Sequence, residues 1–108
     1  MIRQNVYMRV ISLKPLREFC ERHADAERPL RQWYKVAVNA EWTGLHDVRQ
    51  DYPHADGVRT KGGDVLIVFN IAGNKYRVVV WINYAYRVVY VRFIGTHAQY
   101  DRINAQTI

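Results

Sequence analysis

From residue 65 onward the chain reads as three strands in succession. The stretches VLIVFNI (65–71), KYRVVVWIN (75–83) and RVVYVRFI (87–94) are dominated by β-branched and aromatic residues. Gly73-Asn74 predicts a two-residue turn between the first two, and Tyr84-Ala85 a short turn between the second and third. Before them the period changes. After a short strand in MRVIS (8–12), the stretch SLKPLREFCERHADAE places Leu13, Leu16, Phe19, Cys20 and His23 on one helical face. Ser12 is its expected N-cap, and Pro15 sits in the first turn, where a missing N–H costs little. A second helix is predicted over ERPLRQWYKVAVNAEW, with Pro29 near its start. Leu30, Trp33, Tyr34, Ala37 and Glu41 follow its period, so the aromatics are expected in the core, as is Cys20. Residues 43–64 read as a long polar connection. The order of strand, two helices, antiparallel meander and short helix predicts an α+β fold. Its small antiparallel sheet should carry the two N-terminal helices on one face, with a short C-terminal helix after the last strand.

Alternation within the strands assigns the side chains to faces. Val65, Ile67, Phe69, Ile71, Tyr76, Val78, Val80, Ile82, Val89, Val91 and Phe93 share one face, which should lie under the helices. The other face carries Leu66, Val68, Val79, Trp81, Val88 and Tyr90, and gathers Asn70, Lys75, Arg77 and Arg92 toward one end. With two-residue turns, Asn70 stands opposite Arg77, and Arg77 opposite Arg92. Like charges in direct opposition are unfavourable unless an anion or a carboxylate lies between them. A phosphate would supply that anion; Asp64, Asp101 or Glu41 could equally neutralise the pair.

The last strand breaks at Gly95, beside this row. Thr96 can cap a helix, and His97 and Tyr100, three apart, then face the same way. A histidine there can exchange a proton near neutral pH. It could also simply cap the helix or hydrogen-bond to backbone, and spacing alone does not exclude that.

Charge sharpens the picture. The 108 residues carry 16 Lys+Arg against 10 Asp+Glu, for a net charge of +6. Residues 57–108 hold Arg59, Lys61, Lys75, Arg77, Arg87, Arg92 and Arg102 against Asp64 and Asp101 alone. Such a basic half favours nucleic acid or an acidic protein as partner. A single domain is expected, with residues 1–7 as a tail or an extended start. No apolar stretch approaches a membrane span, and no export leader is expected. One cysteine, Cys20, permits no internal disulfide and fits a reducing cytoplasm. His46, His54 and Asp56 match no metal-ligand spacing, so neither metal nor cofactor is expected.

DVRQDYPHAD (47–56), VFNIAGNKYRVVVWINY (68–84) and VYVRFIGTHAQYDRI (89–103) together resemble the HigB-type toxins of the RelE/ParE superfamily. The phrase FNIxGNKYR followed by GTHxxYD carries most of the likeness. The resemblance implies a RelE-like, microbial-RNase-like fold. It implies a bacterial, cytoplasmic type II toxin–antitoxin endoribonuclease that cleaves mRNA, commonly on the ribosome, with the RNA 2′-OH as nucleophile. A cognate helix-turn-helix antitoxin, HigA-like, would neutralise it, and operator DNA would be met only through that antitoxin. Carried over by position, the site residues are Asn70, Lys75, Arg77, Arg92, His97 and Tyr100. His97, Arg77 and Tyr100 are then the catalytic candidates. Asn70, Lys75, Arg92 and, from the same basic half, Lys61 would bind RNA phosphates. The ParE branch shares the fold and acts on gyrase without cleaving RNA; it is the alternative, and the His-Tyr element argues against it.

Overall fold

A computed structural model describes residues 8–108; the expected tail at residues 1–7 lies outside them. The elements run β1 (Arg9–Ile11), α1 (Lys14–Arg22), a single 3-10 turn (Ala24–Ala26), α2 (Glu27–Asn39) and α3 (Leu45–Asp51). There follow β2 (Asp56–Arg59), β3 (Val65–Ile71), β4 (Tyr76–Asn83), β5 (Val88–Thr96) and α4 (His97–Arg102). The strands form one sheet in the order β1-β5-β4-β3-β2. Only β1 runs parallel to its neighbour, β5; the other pairs are antiparallel. This is the α+β architecture expected from the sequence, with α1 and α2 packed on one face and α4 seated against β4 and β5.

The core is the face that the alternation assigned to the helices. Ile67, Phe69, Val78, Val80 and Val89 are buried against Leu16, Phe19, Leu30, Trp33 and Ala37. Phe69 is its hub. Trp33 and Tyr52 meet its ring edge-on at 5.5 and 5.2 Å, and Trp42 stacks at 6.0 Å. A smaller apolar cluster forms on the opposite face, where Leu66, Val68 and Val79 lie beneath Val58, Trp81, Phe93, Tyr100 and Ile108.

Several expectations need correcting. The polar connection is not unstructured: it holds α3 and β2, and β2 extends the sheet beside β3. Leu45 and Val48 give α3 its inward face, and Trp42 Nε1 donates to Asp51 Oδ2 at 2.8 Å across the start of that segment. Two apolar anchors in a two-turn helix are too few for its period to show among so many polar neighbours. Ser12 does not cap α1. It takes a left-handed conformation (φ 67°) that turns the chain out of β1, and Leu13 occupies the cap without a side-chain bond. Tyr34 is 38% exposed, on the outer side of α2, and Glu41 falls beyond that helix. Cys20 is half-buried against the core, and burial pushes its thiol up, as suits an apolar filler.

The register between β4 and β5 also differs. The connection is a four-residue turn pairing Asn83 with Val88, closed by the Arg87 N–H on the Tyr84 carbonyl at 3.3 Å, with Arg87 at φ 58°. Further along, β5 bulges: Val80 faces Val91 while Val79 faces Phe93, leaving Arg92 unpaired. The longer turn moves the pairing by two residues and the bulge by one more. Arg77 therefore faces Gly95, not Arg92, and Phe93 passes to the second face. The Asn70–Arg77 pairing holds as expected.

Replacing Phe69 by Ala should lower unfolding stability by about 3–5 kcal/mol, because three aromatic neighbours cannot close the cavity. Urea denaturation should show a lower midpoint with an unchanged slope.

Candidate functional site

The site is built where the β3–β4 turn meets the end of β5. Ala72 and Gly73 hold positive φ (55° and 66°), which folds Asn74 back over the start of β4. Arg77 follows on β4 and is 8% exposed. Its Nη1 donates to the main-chain oxygens of Asn74 and Tyr76, each at 3.2 Å, and its Nη2 donates to Asn74 Oδ1 at 2.7 Å. Among the described residues no carboxylate forms an ion pair with this guanidinium. A charge held in a protein by neutral carbonyls alone keeps most of its attraction for an incoming anion.

The neighbouring strand end supplies the rest. Gly95 faces Arg77 without a side chain, and the space is already taken. A Cβ there would lie 2.5 Å from Phe93 Cζ and 2.9 Å from Gln99 Oε1. Gln99 is in that place because it closes a capping box: its Oε1 accepts from the Thr96 N–H at 2.8 Å, and Thr96 Oγ1 accepts from the Gln99 N–H at 3.1 Å. The box starts α4 at His97, whose own N–H is tied to the Lys75 carbonyl at 3.0 Å. His97 Nδ1 stands 3.5 Å from Arg77 Nη2, and His97 Nε2 stands 3.2 Å from Asp101 Oδ2. A guanidinium can only donate, so in the neutral ring this contact favours a lone pair on Nδ1 and the proton on Nε2, directed at the carboxylate. The triplet Arg77–His97–Asp101 thus fixes one tautomer and leaves the basic nitrogen on the Arg77 side.

Tyr100 is half-buried beside Phe93, with ring centroids 6.4 Å apart. Burial raises its phenol above the ordinary range, and the charges of Asp56 and Asp101 add to this while Arg77 opposes it. The phenol keeps its proton at neutral pH and acts as a donor.

Of the residues marked from the sequence, Asn70, Arg77, His97 and Tyr100 come together. The others do not join them. Arg92 projects from the bulge and donates from Nη2 to the Ile108 carbonyl at 3.0 Å. Lys61 lies in the β2–β3 loop, at the opposite end of β3 from Asn70, where its N–H bonds the Gln106 carbonyl at 3.1 Å. Lys75 is engaged by Asp25, which also accepts from the Tyr76 hydroxyl. Hydrogen bonds from Lys75 and then Tyr76 hold the Asp25 carboxyl below its usual range, and the same contacts raise Lys75 and Tyr76. This clamp ties the 3-10 turn to the site-bearing hairpin. Sequence reasoning missed Asp25, 50 residues away from its partner, and took Asn74 for a turn residue only. The GNxxR spacing, with a turn amide three residues before an arginine, is the local signal that could have found Asn74.

Comparison with known proteins gives the chain a family. A family model described as HigB toxin, RelE-like toxic component of a toxin–antitoxin system, matches residues 26–103. The chain belongs to the HigB toxin family. The match spans α2 to α4 and so includes the whole Arg77–His97–Asp101 triplet. The chain is also 25% identical over 96 residues to the mRNA interferase HigB of Escherichia coli O6:H1 (strain CFT073), covering 89% of this chain and 91% of that protein. Among the described residues of this HigB-family toxin, no helix is long and apolar enough to cross a membrane.

The clamp predicts an acid sensitivity. Because the folded Asp25 carboxyl titrates below its unfolded counterpart, its contribution is present above the unfolded pKa, near 3.8, and is lost as pH falls through the lowered folded value. Asp25→Asn should flatten the fall in urea midpoint between about pH 5 and pH 2. Unchanged acid lability in that variant would remove the clamp from the account.

Proposed function

We propose that this HigB-family toxin is an endoribonuclease that cleaves mRNA by transesterification within the RNA. The reading is carried by the buried Arg77 guanidinium, which has no carboxylate partner among the described residues and faces the lone-pair nitrogen of His97. The family match and the name of the E. coli relative support it.

The scissile phosphate binds Arg77, with Asn70 beside it on the facing strand. As Nη2 turns to the phosphate oxygen, His97 Nδ1 is released and accepts the proton of the adjacent ribose 2′-OH. That oxygen attacks phosphorus, the bond to the 5′-oxygen breaks, and the products are a 2′,3′-cyclic phosphate and a 5′-hydroxyl end. Asp101 steadies the imidazolium through Nε2–H, as carboxylates do for catalytic histidines elsewhere. Arg77 stabilises the charge that gathers on the phosphorane oxygens. Tyr100, whose phenol stays protonated, holds a phosphate oxygen by hydrogen bond or gives its proton to the leaving oxygen. The nucleophile belongs to the substrate, so the scheme calls for no metal-bound water. The wider assignment is to translating mRNA on the bacterial ribosome, in the cytoplasm. A helix-turn-helix antitoxin is the neutralising partner and the only link to operator DNA.

Replacing His97 by Ala should slow RNA cleavage roughly 100- to 10,000-fold. Arg77→Ala should slow it about 100-fold or more, and both variants should relieve growth arrest on induction. Mapping RNA 5′ ends after induction provides the check. If both variants stay fully toxic with wild-type ends, the site is elsewhere. Intact transcripts with DNA-damage signalling would instead favour a gyrase-directed, ParE-like action.

A further inference from the structure

The second face of the sheet has an aromatic pair that the reaction above does not use. Trp81 on β4 and Tyr90 on β5 are direct cross-strand partners, with ring centroids 5.1 Å apart and planes tilted by 32°. Both are only half-buried, whereas Trp33 and Trp42 are 1% and 3% exposed. The helices α1 and α2 cover the other face, and α4 sits at the far end of β4 and β5, so no described helix lies over the pair.

Its surroundings are cationic. Arg9 on β1 pairs with Val88, and Ile11 with Tyr90, so both lie on the same face as the aromatic pair. Arg9 is exposed on one side of Tyr90 along the sheet. Arg92 is exposed at the bulge on the other side, between the aromatic pair and the end of β5 that leads to His97. Its Nη2 contacts the Ile108 carbonyl, and a guanidinium has further donors to offer. Arg77 and Trp81 lie on the same face of β4, four residues apart, or about 13 Å along the strand. That distance is about four nucleotides at the stacked rise of roughly 3.4 Å, and fewer in an extended strand.

We propose that Trp81 and Tyr90 form a stacking platform for an unpaired base of the RNA whose scissile phosphate lies at Arg77, with Arg92 and Arg9 gripping the phosphates beside it. The proposal rests on the endoribonuclease reading and adds a subsite remote from the bond that breaks. Single-strand binders combine a cationic track with exposed aromatic rings, because every base has a face to stack. An amphipathic protein segment would find less here, since the flanking charges named above are both arginines. Stacking predicts tolerance of sequence at this subsite, with purines favoured over pyrimidines by their larger rings.

The test is a titration of the full-length wild-type protein with a single-stranded ten-residue adenosine RNA, followed by tryptophan fluorescence at fixed low salt. Emission should be quenched, and the signal belongs to Trp81, because Trp33 and Trp42 are buried. An abasic ten-residue strand with the same phosphates should bind about tenfold more weakly and leave the emission unchanged. The variants lack the reporting indole, so their binding is followed by the anisotropy of dye-labelled strands; Trp81→Leu should lose the preference for the base-bearing strand. Trp81→Phe should keep the preference, which shows that a loss in the leucine variant is not misfolding. Equal binding of the two strands to the wild-type protein, or the absence of any quench, overturns the platform and leaves the patch to a protein partner. The same samples are assayed for RNA cleavage. Cleavage whose KM is unmoved by Trp81→Leu sinks the platform and leaves the endoribonuclease reading intact. Base-dependent quenching by a protein that cuts neither free RNA nor mRNA on translating ribosomes keeps the stacking site and sinks that reading.

Discussion

The extra residue that β5 accommodates at Arg92 determines which side chains can meet at the site. Upstream of it, Val91 still faces the helices; downstream, Phe93 has crossed to the second face and Ile94 takes its place beside the core. The same shift brings a residue without a side chain opposite Arg77 and starts α4 alongside the β3–β4 turn. Without the bulge, Arg77 would face Ile94 instead of Gly95, and His97 would begin one residue out of step with it. The four-residue turn and the bulge together carry Arg92 away from the position opposite Arg77.

The second constraint is electrostatic. Arg77 is buried, yet its charge is met by carbonyl dipoles and an asparagine side chain, while the nearby carboxylate of Asp101 is spent on His97. The arrangement holds a cation at fixed position without neutralising it. Asp25 does the opposite for Lys75, pairing it at the edge of the helical layer. One hairpin therefore presents two adjacent basic residues with different duties: Lys75 anchors the turn to the body of the protein, and Arg77 stays available to an anion.

Much of this was legible in the sequence, for physical reasons. Alternation in 65–71 and 75–83 is unbroken, so the core face and the Asn70–Arg77 pairing followed from period and turn chemistry alone. Thr96 and the one-turn spacing of His97 and Tyr100 marked α4. The failures have a common origin in contacts that leave no local trace. A bulge is invisible in a run of valines, because any residue there satisfies strand propensity. The α3 segment shows only Leu45 and Val48 as inward residues. Asp25 and its partner Lys75 meet only when the helical layer docks on the sheet. Asn74 had an adequate explanation as a turn former, which concealed its bonds to Arg77.

The parallel contact between β1 and β5 joins Arg9–Ile11 to Val88–Tyr90, segments far apart in the sequence. Arg9–Ile11 must wait, already translated, for residues 88–90 before the sheet gains its outer strand. Such long sequence separation raises contact order and slows folding. It also sets the order in which the candidate site is assembled. Arg77 gains its histidine and its glycine neighbour only when β5 and α4, which follow it in the chain, have joined the sheet. Within the Arg77–His97–Asp101 triplet the guanidinium is made first and waits for both of its partners.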